Sequence, residues 1–159
     1  MKIVMATGTF DILHPGHGLY LKKAKELALK EKDVNSLDDV KLVVVVARDS
    51  TVRAKKRIPI IGEEQRLEMI KMLKPVDEAY LGHTTDMFKI VEEIKPDIIA
   101  IGEDQKFTIA NIENQLKNRN ISAKVMRIKD YRIATLDSSC KIIKKIRHSD
   151  FDESSLKDC

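Results

Sequence analysis

The chain has 159 residues, 43% apolar and 34% charged, and its 29 basic residues outweigh 25 acidic ones for a net charge of +4. That suffices for one globular domain with its own core, while no apolar run approaches the eighteen or so residues of a membrane span. The modest positive excess suits a phosphate-bearing ligand, but aromatics are only 4% of the chain and scattered, which speaks against a nucleic-acid binder that stacks bases.

The first residues, "MKIVMAT", read as a strand, too short and too soon interrupted for a secretory signal. The two cysteines, Cys140 and Cys159, imply no disulfide framework and fit a reducing cytoplasm.

Residues 2–7 are the first predicted strand, followed by the loop "GTFDILHPGH" over 8–17. A helix comes next, with Tyr20, Ala24, Leu27 and Ala28 on one face, and then a polar excursion over 31–40. A second strand over 41–47 precedes a basic loop over 48–62 and a helix from Glu63 to Lys74, stopped before Pro75. A third strand spans 76–81. The next helix puts Met87, Ile90, Val91 and Ile94 on one face and closes at Lys95-Pro96. A fourth strand at 97–101, a weaker helix from Thr108 to Asn118, a fifth strand at 123–128 and a helix from Ser138 to Arg147 complete the series.

The second and fourth strands are nearly continuous in Val and Ile, as strands buried on both faces should be. Strand and helix alternate five times. The expected fold is α/β: a single Rossmann-like domain over residues 1–147, a five-stranded parallel sheet with helices on both faces, and a flexible acidic tail at 148–159.

Ligands of such sheets sit beyond the carboxyl ends of the strands, where strand order reverses. That edge collects residues 8–17, 48–62, 102–107 and 129–139, which hold nearly all the unusual chemistry. Gly8 follows a buried strand and "HPGH" leads into a helix, so backbone N–H groups and a positive helix end point at whatever lies in front, with phosphate the natural guest. His14 and His17 flank Pro15-Gly16 and can both turn toward it. Two other readings stand beside this one: a zinc triad of Asp11, His14 and His17, or histidines that merely cap the helix.

"GTFDILHPGH" resembles the signature of the nucleotidylyltransferase superfamily named for its His-x-Gly-His motif, whose members transfer a nucleoside monophosphate from ATP or CTP to a phosphate-bearing acceptor. The resemblance implies that His14 and His17 are the catalytic pair, contacting the nucleotide phosphates and stabilising charge during transfer. Thr9 and Phe10 would offer backbone contacts and Asp11 would brace the loop. An acceptor phosphate is already an anion near neutral pH, so the reaction asks for alignment and hydrogen-bond donors rather than a strong base.

In "ARDSTVRAKKRIPIIGEEQR", Arg48, Arg53, Lys55, Lys56 and Arg57 face one acid, Asp49. The run reads either as a solvated face or as a triphosphate clamp. The resemblance points to Lys55 as the phosphate-binding lysine and to Arg66 as a further nucleotide contact. In "IGEDQKF", Gly102 permits close approach and Asp104 matches an acidic residue near the nucleotide and its metal. Ser138 and Ser139 of "DSSCKIIKK" cap the last helix and, by resemblance, hydrogen-bond the β- and γ-phosphates. Arg132, in "KDYRIATLD", would be a further phosphate ligand.

Over residues 1 to about 147 the chain looks most like the archaeal-type FAD synthases, through "ARDSTV", "PIIGEEQR", "LKPVDEAYLG", "KPDIIAIGEDQKF" and "SSCKIIKKI". It departs from them at Glu103, where an aromatic is more frequent, and at Cys140, where Thr or Ser is common. A thiol at a helix N-terminus favours the thiolate, so oxidation sensitivity is expected there. The resemblance implies a cytoplasmic, commonly dimeric enzyme that joins AMP from ATP (with Mg²⁺, ATP possibly replaced by CTP) to FMN. No protein-ligated metal, nucleic acid or membrane partner is expected. Alternatives are the same chemistry on glycerol-3-phosphate, a sugar phosphate or phosphopantetheine, and a non-catalytic nucleotide-binding regulatory module.

Overall fold

The computed structural model describes residues 1–157; Cys159 and the last part of the expected tail lie outside the described residues. Five strands, β1 (Lys2–Gly8), β2 (Val40–Val46), β3 (Glu78–Leu81), β4 (Ile98–Gly102) and β5 (Lys124–Ile128), form one sheet in the order β3-β2-β1-β4-β5. Every pairing is parallel. Six α-helices accompany them among the described residues: α1 (Pro15–Glu26), α2 (Asp49–Ala54), α3 (Glu63–Lys71), α4 (Lys89–Ile94), α5 (Ile109–Asn118) and α6 (Ser139–Arg147).

The two-residue period of a strand sorts the core into two layers. Val4 and Ala6 of β1, Leu42, Val44 and Val46 of β2, and Ile98 and Ala100 of β4 face α1 and α3, packing with Leu21, Ala24 and Ile70. Met5, Val45, Ile99, Ile101 and Val125 face α4 and α5, against Ile90, Val91, Ile112 and Leu116. Strands covered on both sides must be apolar throughout, which explains the unbroken valines of β2.

Two aspartates start the ladders. Asp77 accepts the Leu42 N–H at 2.6 Å, and Asp97 accepts the Ile3 N–H at 2.8 Å. With its carboxylate in that role, Asp77 precedes the strand, so β3 begins at Glu78 rather than at 76. The second predicted helix ends at Lys71, before the turn that leads to Pro75. Met87 is 54% exposed and does not belong to the buried face, because α4 starts only at Lys89 and Phe88 packs inward instead. Helix α2 lies within the span read as a loop; its one buried residue, Val52, leaves no periodic pattern to detect. The 31–40 excursion is anchored by buried Val34 and by Glu31 pairing with Lys124 at 2.7 Å.

Strand order reverses between β1 and β4. There β1 pairs with β2 along its full length to Gly8, but with β4 only from Val4 to Ala6. The carboxyl end of β1 therefore parts from β4. Side chains replace the missing ladder: the Thr7 carbonyl accepts from the Tyr20 hydroxyl at 3.1 Å and from Gln105 Nε2 at 3.0 Å.

Candidate active site

The crevice at this switch point is floored by the 8–17 loop. Phe10 and Ile12 hold positive φ values of 55° and 50°, a conformation that costs a non-glycine residue about 1–2 kcal/mol. The surroundings hold them there. The Phe10 ring is buried edge-on to His17, with centroids 5.5 Å apart, and sits so close to Gly8 that a Cβ there would lie 2.7 Å from it.

Asp11, 1% exposed, spends both carboxylate oxygens on the Ile60 and Ile61 N–H groups, each at 2.8 Å. Its carbonyl accepts from the buried Ser139 hydroxyl. Arg66, also 1% exposed, donates to the Thr9 carbonyl at 2.6 Å, the Ala47 carbonyl at 2.9 Å, the Ile61 carbonyl at 2.8 Å and Asp49 at 2.7 Å. These two residues tie the loops after β1 and β2 to each other and to α6. They face the backbone rather than the crevice.

His14 and His17 stack with centroids 3.8 Å apart. His14 is the N-cap of α1, its Nδ1 accepting the Gly16 N–H at 3.1 Å, which fixes its tautomer, whereas His17 makes no cap bond. A neutral imidazole that accepts at Nδ1 carries its proton on Nε2. Burial lowers the His14 pKa, helped by Arg132 and opposed by Asp137 and Asp104. Burial, and then His14 beside it, pushes His17 down to about 3. Both rings are neutral near pH 7. Among the described residues, His17 Nδ1 is buried with no protein partner, a group that costs about 1–3 kcal/mol to leave unpaired. Gly16 lets α1 approach the last loop, since a Cβ there would sit 2.9 Å from the Asp137 carbonyl oxygen.

Asp104 is half-buried between the Tyr131 hydroxyl, which donates to Oδ1, and Arg132, whose guanidinium donates to Oδ2 at 2.6 Å. Burial works to raise its pKa, but Tyr131 and Arg132 hold it below the ordinary carboxylate value. Arg132 and Asp104, predicted on separate loops, thus form one pair. Ser138 caps α6 by accepting the Lys141 N–H at 3.2 Å. Cys140 is exposed in the first turn of α6. Lys55, the C-cap of α2, reaches across to the β4 loop, its Nζ 5.5 Å from the Phe107 ring centroid.

Sequence reasoning missed Tyr131, Gln105 and Arg127. The Arg127 guanidinium donates to the Gly102 carbonyl at 2.7 Å and to those of Gln105 and Phe107, fixing the β4 loop from β5. Nothing local signals this, because Arg127 sits inside a strand pattern. Asp11, His14 and His17 do not form a metal cluster: Asp11 is committed to two amides, and no group of three or more His, Cys, Asp or Glu is placed to hold an ion among the described residues. No helix among them is long and apolar enough to cross a membrane.

Residues 5–145 match the family described as cytidylyltransferase-like. The chain is 61% identical to a FAD synthase of Methanothermobacter thermautotrophicus over 159 residues, all of both chains. It is 66% identical to a FAD synthase of Methanobrevibacter ruminantium over 150 residues, covering 94% of this chain and 95% of that one. A crystal structure described as a lipopolysaccharide core biosynthesis protein of Thermoplasma volcanium superposes with a TM-score of 0.73 at 50% identity, covering 82% of this chain and 98% of that one. Pantoate-β-alanine ligase of Francisella tularensis shares the fold alone, with a TM-score of 0.53 at 15% identity, over 99% of this chain and 76% of that one.

Proposed function

The chain belongs to the cytidylyltransferase-like family, and on that premise we propose that it is a nucleotidyltransferase that moves AMP from ATP to FMN, yielding FAD and pyrophosphate. The observation that carries the chemistry is the neutral His14–His17 stack at the α1 N-terminus, with the His14 proton directed to Nε2. The acceptor is inferred from full-length likeness to FAD synthases.

In this reading an FMN phosphate oxygen attacks the α-phosphorus of ATP in line. The bond from that phosphorus to the bridging oxygen breaks, and pyrophosphate leaves with the electron pair. The FMN phosphate needs no base. His14 Nε2–H and His17 donate to the α-phosphate as charge builds, beside the N–H groups of α1 and the backbone of Thr9 and Phe10. The α6 N-terminus, set by the Ser138 cap and the Ser139 anchor, faces the β- and γ-phosphates together with Lys55 and Arg132. Asp104 holds Tyr131 and Arg132 in place, while Asp11 and Arg66 act through the loops they tie.

A divalent ion, Mg²⁺ in this reading, enters as part of the ATP substrate. Among the described residues no group of three or more His, Cys, Asp or Glu is placed to hold an ion by itself, and no step is routed through one. The transferase domain of this reading covers residues 1–147, with 148–159 as an appendage outside the reaction. The homodimer and the cytoplasmic setting rest on the family resemblance.

The test is pyrophosphate release with ATP or CTP and Mg²⁺ against FMN, glycerol-3-phosphate and phosphopantetheine, with products separated by chromatography. FAD formed only when ATP and FMN are both present supports the reading. Release with another acceptor discards FMN, and nucleotide binding without release under any acceptor discards the enzyme.

A further inference from the structure

No residue in the sequence announces how a three-ring flavin is recognised, and the buried aromatics are spent on packing: Phe10, Tyr20 and Tyr131 are all in the core. Phe107 differs. It stands on the loop after β4, at the carboxyl edge of the sheet, 36% exposed, and its carbonyl is held by Arg127 from the neighbouring strand. The ammonium of Lys55, an exposed side chain from the opposite rim, reaches its face. A face that a flexible cation can reach is open at that edge, and its electron-rich surface also suits a flat, electron-poor ring.

We propose that Phe107 is the stacking surface for the isoalloxazine ring of the acceptor, its face freed as the Lys55 ammonium turns to the nucleotide phosphates. This deepens the FMN reading and rests on it. The isoalloxazine has an apolar dimethylbenzene end and an end rich in carbonyl acceptors. Ile58 and Ile60, 79% and 60% exposed on the loop that follows Lys55, offer apolar surface for the dimethylbenzene end. Adenine has no apolar end, so it fits this rim less well. Arg127 is a positioning residue for the ring.

The experiment measures FMN binding to the full chain by quenching of flavin fluorescence, and ATP binding by calorimetry, in wild type, Phe107→Ala and Phe107→Trp. Phe107→Ala should weaken FMN binding about tenfold, the scale of one lost base–aromatic stack, and leave ATP binding unchanged. Phe107→Trp should keep FMN binding near wild type. Unchanged FMN binding in Phe107→Ala, a loss confined to ATP, or an equal loss in Phe107→Trp would each overturn the proposal. Wild-type FAD formation is run alongside. If wild type makes no FAD, the acceptor reading falls and takes this inference with it. If wild type makes FAD while Phe107→Ala binds FMN normally, only the inference falls.

Discussion

The loop of residues 8–17 and the rim opposite it, carried by Lys55, Phe107 and Arg132, share one edge of the sheet but are held in different ways. In the loop the Thr9 and Asp11 carbonyls and the Asp11 carboxylate all have partners reaching in from other elements. Asp11 and Arg66 join it to the β2 side, Ser139 joins it to α6, and two residues sit at positive φ. On the rim the backbone of the β4 loop is fixed by Arg127, but the side chains of Lys55, Phe107 and Arg132 are exposed and joined by one cation–π contact and one ion pair. Groups that must meet developing charge gain from being fixed before the reaction. Groups that receive incoming substrates can move. On the proposed mechanism, rigidity is concentrated in the loop that meets the transferred phosphate, and the rim is left to receive the substrates.

If the loop is held as described, Arg66→Ala should have the largest effect. It strips a buried cation from Asp49 and three carbonyls, at a cost of about 3–5 kcal/mol, read as a shifted denaturant midpoint with transfer lost alongside. Arg66→Lys should recover only part, because an ammonium cannot reproduce the forked donor pattern. His17→Ala should lower kcat roughly a hundredfold to a thousandfold, about 3–4 kcal/mol by analogy with oxyanion donors, with the fold intact by circular dichroism. Unchanged kcat would show that the rings serve only to pack.

Asp11→Asn is next. One amide keeps its acceptor while the other meets an NH₂ group, which costs about 1–3 kcal/mol in stability. Lys55→Ala, on the rim, should do least: roughly tenfold weaker ATP binding at low salt and little change in stability, since its partner is exposed and screened. Equal losses of stability from Asp11→Asn and Lys55→Ala would erase the contrast between the two regions.

Protons sharpen the same contrast. His17 is held at about 3 in the folded chain, mainly by burial and then by His14, against an ordinary value near 6.5. Between those values the unfolded chain binds more protons than the folded one, so this residue's contribution to stability is present above about 6.5 and lost as pH falls toward 3. Melting temperatures from pH 7.5 to 4.5 should fall less steeply in His17→Gln than in wild type. Parallel slopes would contradict the buried, neutral ring.

Much of this was legible in the sequence for a physical reason. The unbroken valines of β2 and the alternation of strand and helix can mean little except a parallel sheet covered on both sides, and the strand–glycine–helix start marked the edge where the candidate site lies. The structure puts His14 and His17 together at the start of α1, on the edge of the sheet where that logic looked for them. The resemblance anticipated that Asp11 braces the loop, but its partners, and the structural rather than nucleotide-contacting role of Arg66, were not readable. Their partners are backbone groups as far off as Ile60, Ile61 and Thr9, and no local pattern encodes a carbonyl brought near by folding. Arg127 was hidden for the same reason, and Met87 misled because helical spacing continued past the true start of α4.

The account stands most directly on one measurement: incubation of the chain with Mg²⁺, FMN and ATP labelled at the α-phosphate, followed by chromatography of the flavins. It predicts label in FAD in equal amount to the pyrophosphate released, with none when FMN is left out. Label that stays in ATP, or passes to AMP at the same rate without FMN, would contradict it.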